Sequence, residues 1–319
     1  MKSPTAITTL ACCLVAACSG DAPAPTAPRF ELAPNATGSL AEQLTTLRQF
    51  VAAHAGKAVV VADDAVAAAA ARAQHAGLPI VAIAAEPPAA GQPLPFDAVV
   101  VPSTGAEAAL DLACLAAAGI EVPPTAVPIG ARWFTAANLA AGGSILPASG
   151  DPVVALLRMQ HAAALHPTAG SPPRTIAIAS RADDAWAARV RRELAAHASR
   201  DPTVVLHEVA ATTAALQALL AVRPQALLVA TDEPTALQPL LDQAEAAALP
   251  TFVLPSPFVV DVTAPHAFGS GAETLGRAAA LAVRQLRPTG AAVFELRGGV
   301  GDAATAARRR GLATGLGPQ

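Results

Sequence analysis

The sequence has few of the residues that build nucleic-acid interfaces or aromatic-rich surfaces. Of its 319 residues only two are lysines, Lys2 and Lys57, none is tyrosine, and aromatic residues make up 3%. The formal net charge is −3, so the chain has no basic surplus to attract a phosphate backbone. We therefore expect no nucleic-acid partner.

Cysteine and metal-ligand patterns are equally sparse. Cys12, Cys13 and Cys18 lie near the N-terminus, which leaves Cys114 as the one cysteine of the main body. A single thiol forms no internal disulfide, so the fold must rest on its core, and Cys114 is expected to be a small buried hydrophobe. The seven histidines are scattered without an H-E-x-x-H or Cys/His cluster, so no metal site is predicted.

Signatures of catalysis are missing as well. No G-x-S-x-G nucleophile elbow occurs in the sequence. Gly299, Gly301 and Ala304 fit a G-x-G-x-x-A pattern after a strand. A dinucleotide site also needs an acidic residue about 20 positions further on, and the sequence has none there, so the pattern predicts a turn of the fold. We expect no cofactor and no enzyme activity.

The N-terminus has the features of an export signal. "MKSPTAITTLACCLVAAC" combines a basic residue, a short apolar stretch and small residues before Cys18. "LVAAC" resembles the bacterial lipobox, in which the cysteine is lipidated and becomes the first mature residue. This predicts a signal peptide at 1–17 and a Pro/Ala tether at 18–29; the alternative is an ordinary signal peptide with an incidental cysteine. In a cell with two membranes, Ser19 in place of Asp favours the outer one as the site of the anchor.

Short apolar runs alternate with alanine-rich helical stretches through the rest of the chain. "KAVVVA", "PIVAIA", "DAVVVP", "RTIAIAS", "ALLVAT" and "AAVFEL" are typical of parallel strands buried on both faces. Alternating strands and helices predict an α/β fold with doubly wound parallel sheets. Residues 131–172 break this rhythm with glycines and prolines and are predicted to connect two α/β blocks.

The order of these segments resembles a known family. "RTIAIASRADDAWAARVRRELAAH" and "ALLVATDEPTALQPLLDQAEAAALPTFVLP" resemble the first lobe of type I periplasmic sugar-binding proteins. "AAVFELRGGVGDAATAARRRGLATGL" resembles the opening of their second lobe, whose remainder is matched by the front of this chain. The resemblance therefore implies two lobes with a hinge, in circularly permuted order.

The permuted order gives a domain assignment. The second lobe comprises 30–96 with 122–130 and 291–317, and the first lobe comprises 173–290. The hinge strand and helix of the first lobe are assigned to 97–121. The alternative reads the front block as an ordinary first lobe. Permutation is preferred because it explains both the unfinished strand–helix unit at the C-terminus and the connector.

The resemblance also implies ligand-binding residues between the lobes. Trp186 stands where the family places a stacking aromatic ring, after the acids Asp183 and Asp184. Asp183 is expected to line the cleft with it, the alternative being a solvated or capping loop acid. Arg310 matches the arginine before the helix glycine in "RRRG", and Asp63 matches an amide position after "AVVVA". Each has an alternative: a tryptophan packed on its lobe, a solvated basic helix face, and an acid near a helix cap for which Asp64 is suited.

Glu86 lies near the family's acid after "PIVAIA", with an exposed loop acid as the alternative. Two positions depart from the family pattern. Pro255-Ser256 replaces an Asp-Arg pair, and Pro102-Ser103 replaces the hinge amide. Each missing hydrogen bond weakens hydroxyl recognition by about 1–3 kcal/mol unless another group compensates.

The function implied by the resemblance is capture of a small polar ligand, a sugar or a related solute. The expected protein is a monomeric, extracytoplasmic (periplasmic) lipoprotein that passes its ligand to an ABC permease and meets the membrane through its lipid alone. The alternative is a sensory or structural lipoprotein that keeps the fold without sugar binding. A cleft lined by polar side chains would favour the first, and one plugged by apolar side chains the second.

The lipobox leads to a direct test. Mass spectrometry of the membrane-extracted protein should show Cys18 as a diacylated or triacylated N-terminus. Cys18→Ser should release the protein from the membrane or stall its maturation, because the acyl chains supply the anchor. A mature form that begins at another residue would contradict the prediction.

Overall fold

The computed structural model of the protein describes residues 28–34, 36–89, 91–122, 126–168, 170–181, 183–231, 237–258, 267–297 and 303–317. The signal peptide, nearly all of the tether with Cys18, and Gly299 and Gly301 of the glycine pattern lie outside the described residues.

Strands and helices alternate through most of the described chain. The strands are β1 Arg29–Leu32, β2 Ala58–Ala62, β3 Ile80–Ile83, β4 Ala98–Pro102, β5 Val127–Pro128, β6 Ala131–Thr135, β7 Ser144–Leu146, β8 Arg174–Ser180, β9 Val204–Ala210, β10 Ala226–Thr231, β11 Thr251–Pro255, β12 Phe268–Gly269 and β13 Gly290–Leu296. The helices are α1 Leu40–Ala53, α2 Ala65–Gln74, α3 Ala106–Ala117, α4 Gly150–Gln160, α5 Ala162–Leu165, α6 Ala185–Ala198, α7 Thr213–Val222, α8 Gln238–Ala246, α9 Ala272–Leu286 and α10 Ala303–Leu316.

The larger sheet has seven strands in the order β1-β13-β2-β3-β4-β6-β7. Its first five strands are parallel, and β6 and β7 continue it in antiparallel pairing. Every residue of β2, β3 and β4 is buried. Continuous apolar runs such as "AVVVA" are therefore explained by a sheet that is covered on both faces.

The smaller sheet has four parallel strands in the order β11-β10-β8-β9. β5 and β12 form a separate parallel pair, which a bridge between Val253 and Ala267 places beside β11. The predicted α/β class is confirmed, since parallel pairing dominates both sheets. β13 pairs with β2 in the seven-stranded sheet, and β8 belongs to the other sheet. Permutation itself stays a prediction.

The assignment of 97–121 and 122–130 differs from the observed pairing. β4 was expected to lie with the first lobe, but it pairs with β3 in the seven-stranded sheet, and only α3 packs over the four-stranded sheet. β5 was expected to lie with the second lobe, but it pairs with β12. In both cases the chain therefore crosses to the other sheet one strand later than the domain assignment predicts.

The connector and the end of the first-lobe segment also differ. Within 131–172, β6 and β7 extend the seven-stranded sheet before α4 begins. From 173–290, α9 packs against the seven-stranded sheet, with Leu275 and Val283 in the same apolar cluster as Val61 and Val100. An antiparallel edge hairpin gives no parallel-strand pattern in the sequence, which is why the connector was expected to be irregular.

Three short crossings between the sheets lie side by side, at 102–106, 128–131 and 269–272. Ser270 joins them. Its hydroxyl accepts the N–H of Ser103 at 2.7 Å and donates to the carbonyl oxygen of Gly130 at 2.7 Å, and its own N–H donates to the Ser103 carbonyl at 3.0 Å. Because Ser270 is fully buried, these bonds hold the crossings together without competition from water.

Helices α9 and α10 approach so closely that glycine is required at their contact. A Cβ atom on Gly276 would lie 1.9 Å from the carbonyl oxygen of Arg308, and one on Gly311 would lie 2.0 Å from that of Glu273. No side chain fits such a gap, so the two glycines allow the helix backbones to touch.

Gly276→Ala is expected to destabilise the protein by about 1–3 kcal/mol, since overpacking outweighs the helix propensity gained from alanine. Urea unfolding measures the change. Gly77→Ala is the matched control, because nothing lies within 4 Å of a Cβ at Gly77. Equal stability of the Gly276 variant and the wild type would contradict the close approach.

Candidate functional site

Buried polar side chains gather where the parallel strands end. Asp63 follows β2, Ser180 ends β8, Thr231 ends β10, Ser256 follows β11 and Arg297 follows β13, and all five are buried. The carboxyl ends of parallel strands are the usual place for ligand sites in open α/β sheets. Polar groups at this edge of both sheets therefore define the candidate site.

At its centre Arg308 of α10 forms a buried ion pair with Asp63. The Nη2 of Arg308 lies 3.0 Å from the Asp63 carboxylate and 2.8 Å from the Thr305 hydroxyl. Its Nη1 lies 3.4 Å from the carbonyl oxygens of both Pro257 and Phe258, in the segment after β11. One guanidinium thus ties the seven-stranded sheet to the four-stranded sheet.

The pair keeps unused hydrogen-bonding capacity. Among the described residues neither Oδ1 of Asp63 nor Nε of Arg308 has a hydrogen-bond partner, although both atoms are buried. Burial raises the pKa of Asp63 to about 6, while the neighbouring Arg308 acts in the opposite direction. Asp63 can therefore accept a proton or a hydrogen bond from a bound molecule just below neutral pH.

This pKa leads to a pH dependence with a defined sign. Because the folded pKa is about 6 and the ordinary value is 3.8, the folded protein holds the Asp63 proton more tightly. The stability contributed by protonated Asp63 is present below pH 3.8 and lost as the pH rises through 6. Relative to Asp63→Asn, the wild type should lose on the order of 1–3 kcal/mol across that window. Urea unfolding of both proteins at several pH values measures it, and parallel curves would contradict it.

A second group of charges adjoins the ion pair. The Glu295 carboxylate in β13 accepts hydrogen bonds from Arg297 at 3.3 Å and from Arg309 at 2.8 Å. With Asp63 and Arg308, the site holds two carboxylates and three guanidinium groups. The surplus positive charge favours ligands rich in hydrogen-bond acceptors.

Trp186 lies close to the ion pair, but as a packed core residue. Asp184 caps α6 by accepting the N–H of Trp186 at 2.8 Å, which fixes the start of the helix. The indole N–H donates to the Leu254 carbonyl oxygen at 3.1 Å. The indole ring packs edge-on against Phe258, with 6.5 Å between the two ring centroids. With only 5% of its surface exposed, Trp186 offers no open face for stacking in this conformation.

The expected partnership of Trp186 with Arg310 is not what the structure has. Arg310 is exposed, whereas Arg308 is buried and lies 3.4 Å from the carbonyl oxygen of Phe258, whose ring contacts Trp186. Residues two positions apart in a helix point about 200° away from each other around the helix axis. Only one of these two arginines can therefore face the sheets. Arg310, the residue named by the sequence hypothesis, therefore lies on the exposed side of α10, and Arg308 on the buried side.

Asp183 and Glu86 stay outside the buried cluster. Asp183 is exposed and pairs with Arg181 at 3.2 Å, and hydrogen bonding from Arg181 lowers the pKa of Asp183. Glu86 is exposed and pairs with Arg192 of α6 at 2.6 Å. Both acids are therefore exposed partners of neighbouring arginines, and these surroundings match the alternative of a loop acid.

The sheets are also held together by Arg189 of α6. Its guanidinium donates to the carbonyl oxygen of Ala85, to that of Pro102 at 3.0 Å and to Glu193 at 2.9 Å. These contacts fasten α6 of the smaller sheet to the ends of β3 and β4. Pro102 contributes its backbone carbonyl oxygen to this contact.

The sequence hypothesis missed Arg308, Glu295 and Arg297. Glu295 did give a signal, because a charged residue interrupts the otherwise apolar run "AAVFEL" of a buried strand. A buried charge requires a partner, and the arginines of "RRRG" were the available ones.

Within the described part of the chain, no group of His, Cys, Asp and Glu side chains could hold a metal ion. None of the helices in the same residues is long and apolar enough to cross a membrane. Comparison with protein-family models and with curated proteins gives no match.

Proposed function

We propose that this chain is a lipid-anchored extracytoplasmic solute-binding protein that captures a small polar ligand between its two sheets for an ABC permease. The observation that carries the proposal is the buried Asp63–Arg308 pair, which reaches the carbonyls of Pro257 and Phe258 across the gap between the sheets. The three crossings joined by Ser270 would supply the hinge about which two sheet-bearing units open, in keeping with a type I sugar-binding-protein fold.

The unused atoms of the ion pair specify the ligand chemistry. A hydroxyl group donates one hydrogen bond and accepts others, so it can donate to Oδ1 of Asp63 while accepting from Nε of Arg308. A sugar or polyol presents several such groups. Entry requires the sheets to separate, since both atoms are buried in the closed conformation, and ligand binding would favour reclosure.

A thermal-shift screen with sugars and polyols tests this function, because a ligand that binds only the folded protein raises the melting temperature. For a ligand that gives a shift, Arg308→Lys should reduce affinity roughly tenfold or more, since lysine keeps the charge but loses the planar guanidinium fork.

Arg310→Lys is the matched control and should bind as the wild type does, since Arg310 is exposed on the same helix. If the two variants bind alike, the ligand site lies elsewhere. If no compound shifts the melting temperature, the proposal fails for this class of ligand.

A second candidate is a sensory or structural lipoprotein that keeps the fold without a solute. Trp186 and Phe258 favour it, since they pack edge-on in the gap and the indole N–H is already satisfied by Leu254. Under this alternative the Asp63–Arg308 pair holds the sheets permanently closed. Small-angle X-ray scattering would then give one compact form with and without candidate solutes.

A further inference from the structure

A cavity of about 560 Å³ lies among the start of α3, the start of β6, α4 and α6. We call it the crossing cavity, because Ser103–Gly105 and Ile129–Gly130 of two crossings form part of its wall. Its volume falls within the range of about 300–1,000 Å³ typical of small-molecule sites. None of Asp63, Trp186, Phe258 and Arg308 lines it, so it is distinct from the site between the sheets.

One face of α4 places two oppositely charged side chains, Asp151 and Arg158, on the wall of this cavity. Asp151, Val154 and Arg158 all line it, and their spacing of three and seven residues places them on one helix face. At 1.5 Å per residue the two charged positions are about 10 Å apart along the helix axis. Val154 lies between them and is buried, which gives this face an apolar centre.

Asp151 presents a carboxylate held in place by the backbone. One oxygen, Oδ2, accepts the N–H groups of Gly130 at 3.1 Å and Ala148 at 2.6 Å. Among the described residues, the other oxygen has no hydrogen bond and no cation forms an ion pair with Asp151. This oxygen is suited to an ammonium group.

The guanidinium of Arg158 is held in place by an ion pair with Asp111. Its Nε donates to Asp111 at 2.5 Å, and Asp111 is held in turn by His197 at 2.8 Å. Among the described residues the terminal N–H groups of Arg158 have no acceptor, and 41% of the side chain is exposed. Two such N–H groups match the geometry of a carboxylate.

The other charged side chains on the wall are already engaged. Glu193 accepts from Arg189 at 2.9 Å and from the Thr104 hydroxyl, and Glu107 lies 3.6 Å from Arg200. Arg132 donates to the carbonyl oxygen of Gly142 at 3.2 Å. The rest of the wall is largely apolar and includes Ile129, Phe134 and Ile145.

We propose that the crossing cavity binds a small zwitterion, a dipeptide or a single amino acid. Its ammonium group would meet the free oxygen of Asp151 and its carboxylate would meet the terminal N–H groups of Arg158. An apolar side chain would lie against Val154 and Phe134. The charges of such a ligand match the free oxygen of Asp151 and the terminal N–H groups of Arg158, whereas a uniformly charged ligand would be repelled by one of these two side chains.

Isothermal titration calorimetry on the mature chain tests this with glycyl-leucine, leucine, N-acetylglycyl-leucine and glycyl-leucinamide. The zwitterionic probes should bind, and blocking either charge should weaken binding roughly tenfold or more. Asp151→Asn should abolish the discrimination against the acetylated peptide, and Arg158→Gln the discrimination against the amide. Arg48→Gln, an exposed arginine on α1, is the control and should bind as the wild type does.

Absence of binding by both zwitterionic probes at millimolar concentration would overturn the proposal, as would equal affinity for the blocked analogues. Arg158 is partly exposed, so its variant remains informative even if Asp151→Asn loses stability with the backbone bonds to Gly130 and Ala148. Arg308→Lys should keep the wild-type preference for glycyl-leucine over its two blocked analogues, whatever change linkage between the sites makes in the absolute affinity. Loss of that preference would show that the peptide occupies the site between the sheets, which separates failure of this proposal from failure of the proposed function.

Discussion

A guanidinium removed from water must find acceptors for its N–H groups, and the arrangement of this protein follows from where Arg308 finds them. Its acceptors are Asp63 at the end of β2, Thr305 on its own helix and two carbonyls after β11. Arg308 reaches them because α10 lies directly on α9, and that contact exists only because Gly276 and Gly311 carry no side chain. Helix packing thus decides which arginine enters the gap, and that arginine decides how the two sheets meet.

Buried ion pairs are weak contributors to stability, since desolvation offsets much of the attraction. Asp63 illustrates this, because burial raises its pKa to about 6 even beside Arg308. An apolar pair of similar volume would hold the sheets together at a smaller cost in desolvation. Under the proposed function, the two unsatisfied atoms of the pair are the acceptor and the donor that a ligand hydroxyl group would use together.

The sequence predicted those features that depend on local pattern. Runs such as "AVVVA" and "RTIAIAS" indicated buried parallel strands, and Asp64 was recognised as a cap for α2, where it accepts the N–H of Ala67 at 2.7 Å. Features that depend on helix phase or tertiary contact were not predictable in this way. Arg310 and Arg308 are equivalent in the sequence, and only the α9–α10 contact distinguishes them. The edge strands β6 and β7 are too short and too varied to give a parallel-strand pattern.

Arg189 connects the two candidate sites and gives a physical basis for coupling between them. Its guanidinium holds the ends of β3 and β4 through the carbonyls of Ala85 and Pro102, while its partner Glu193 forms part of the crossing cavity. Arg189 itself lines the cavity, so separation of the sheets, which would break its two carbonyl contacts, would alter the cavity wall. A molecule bound in the cavity would therefore differ in affinity between the open and closed forms, and by linkage a ligand between the sheets would change the affinity of the cavity in the same proportion.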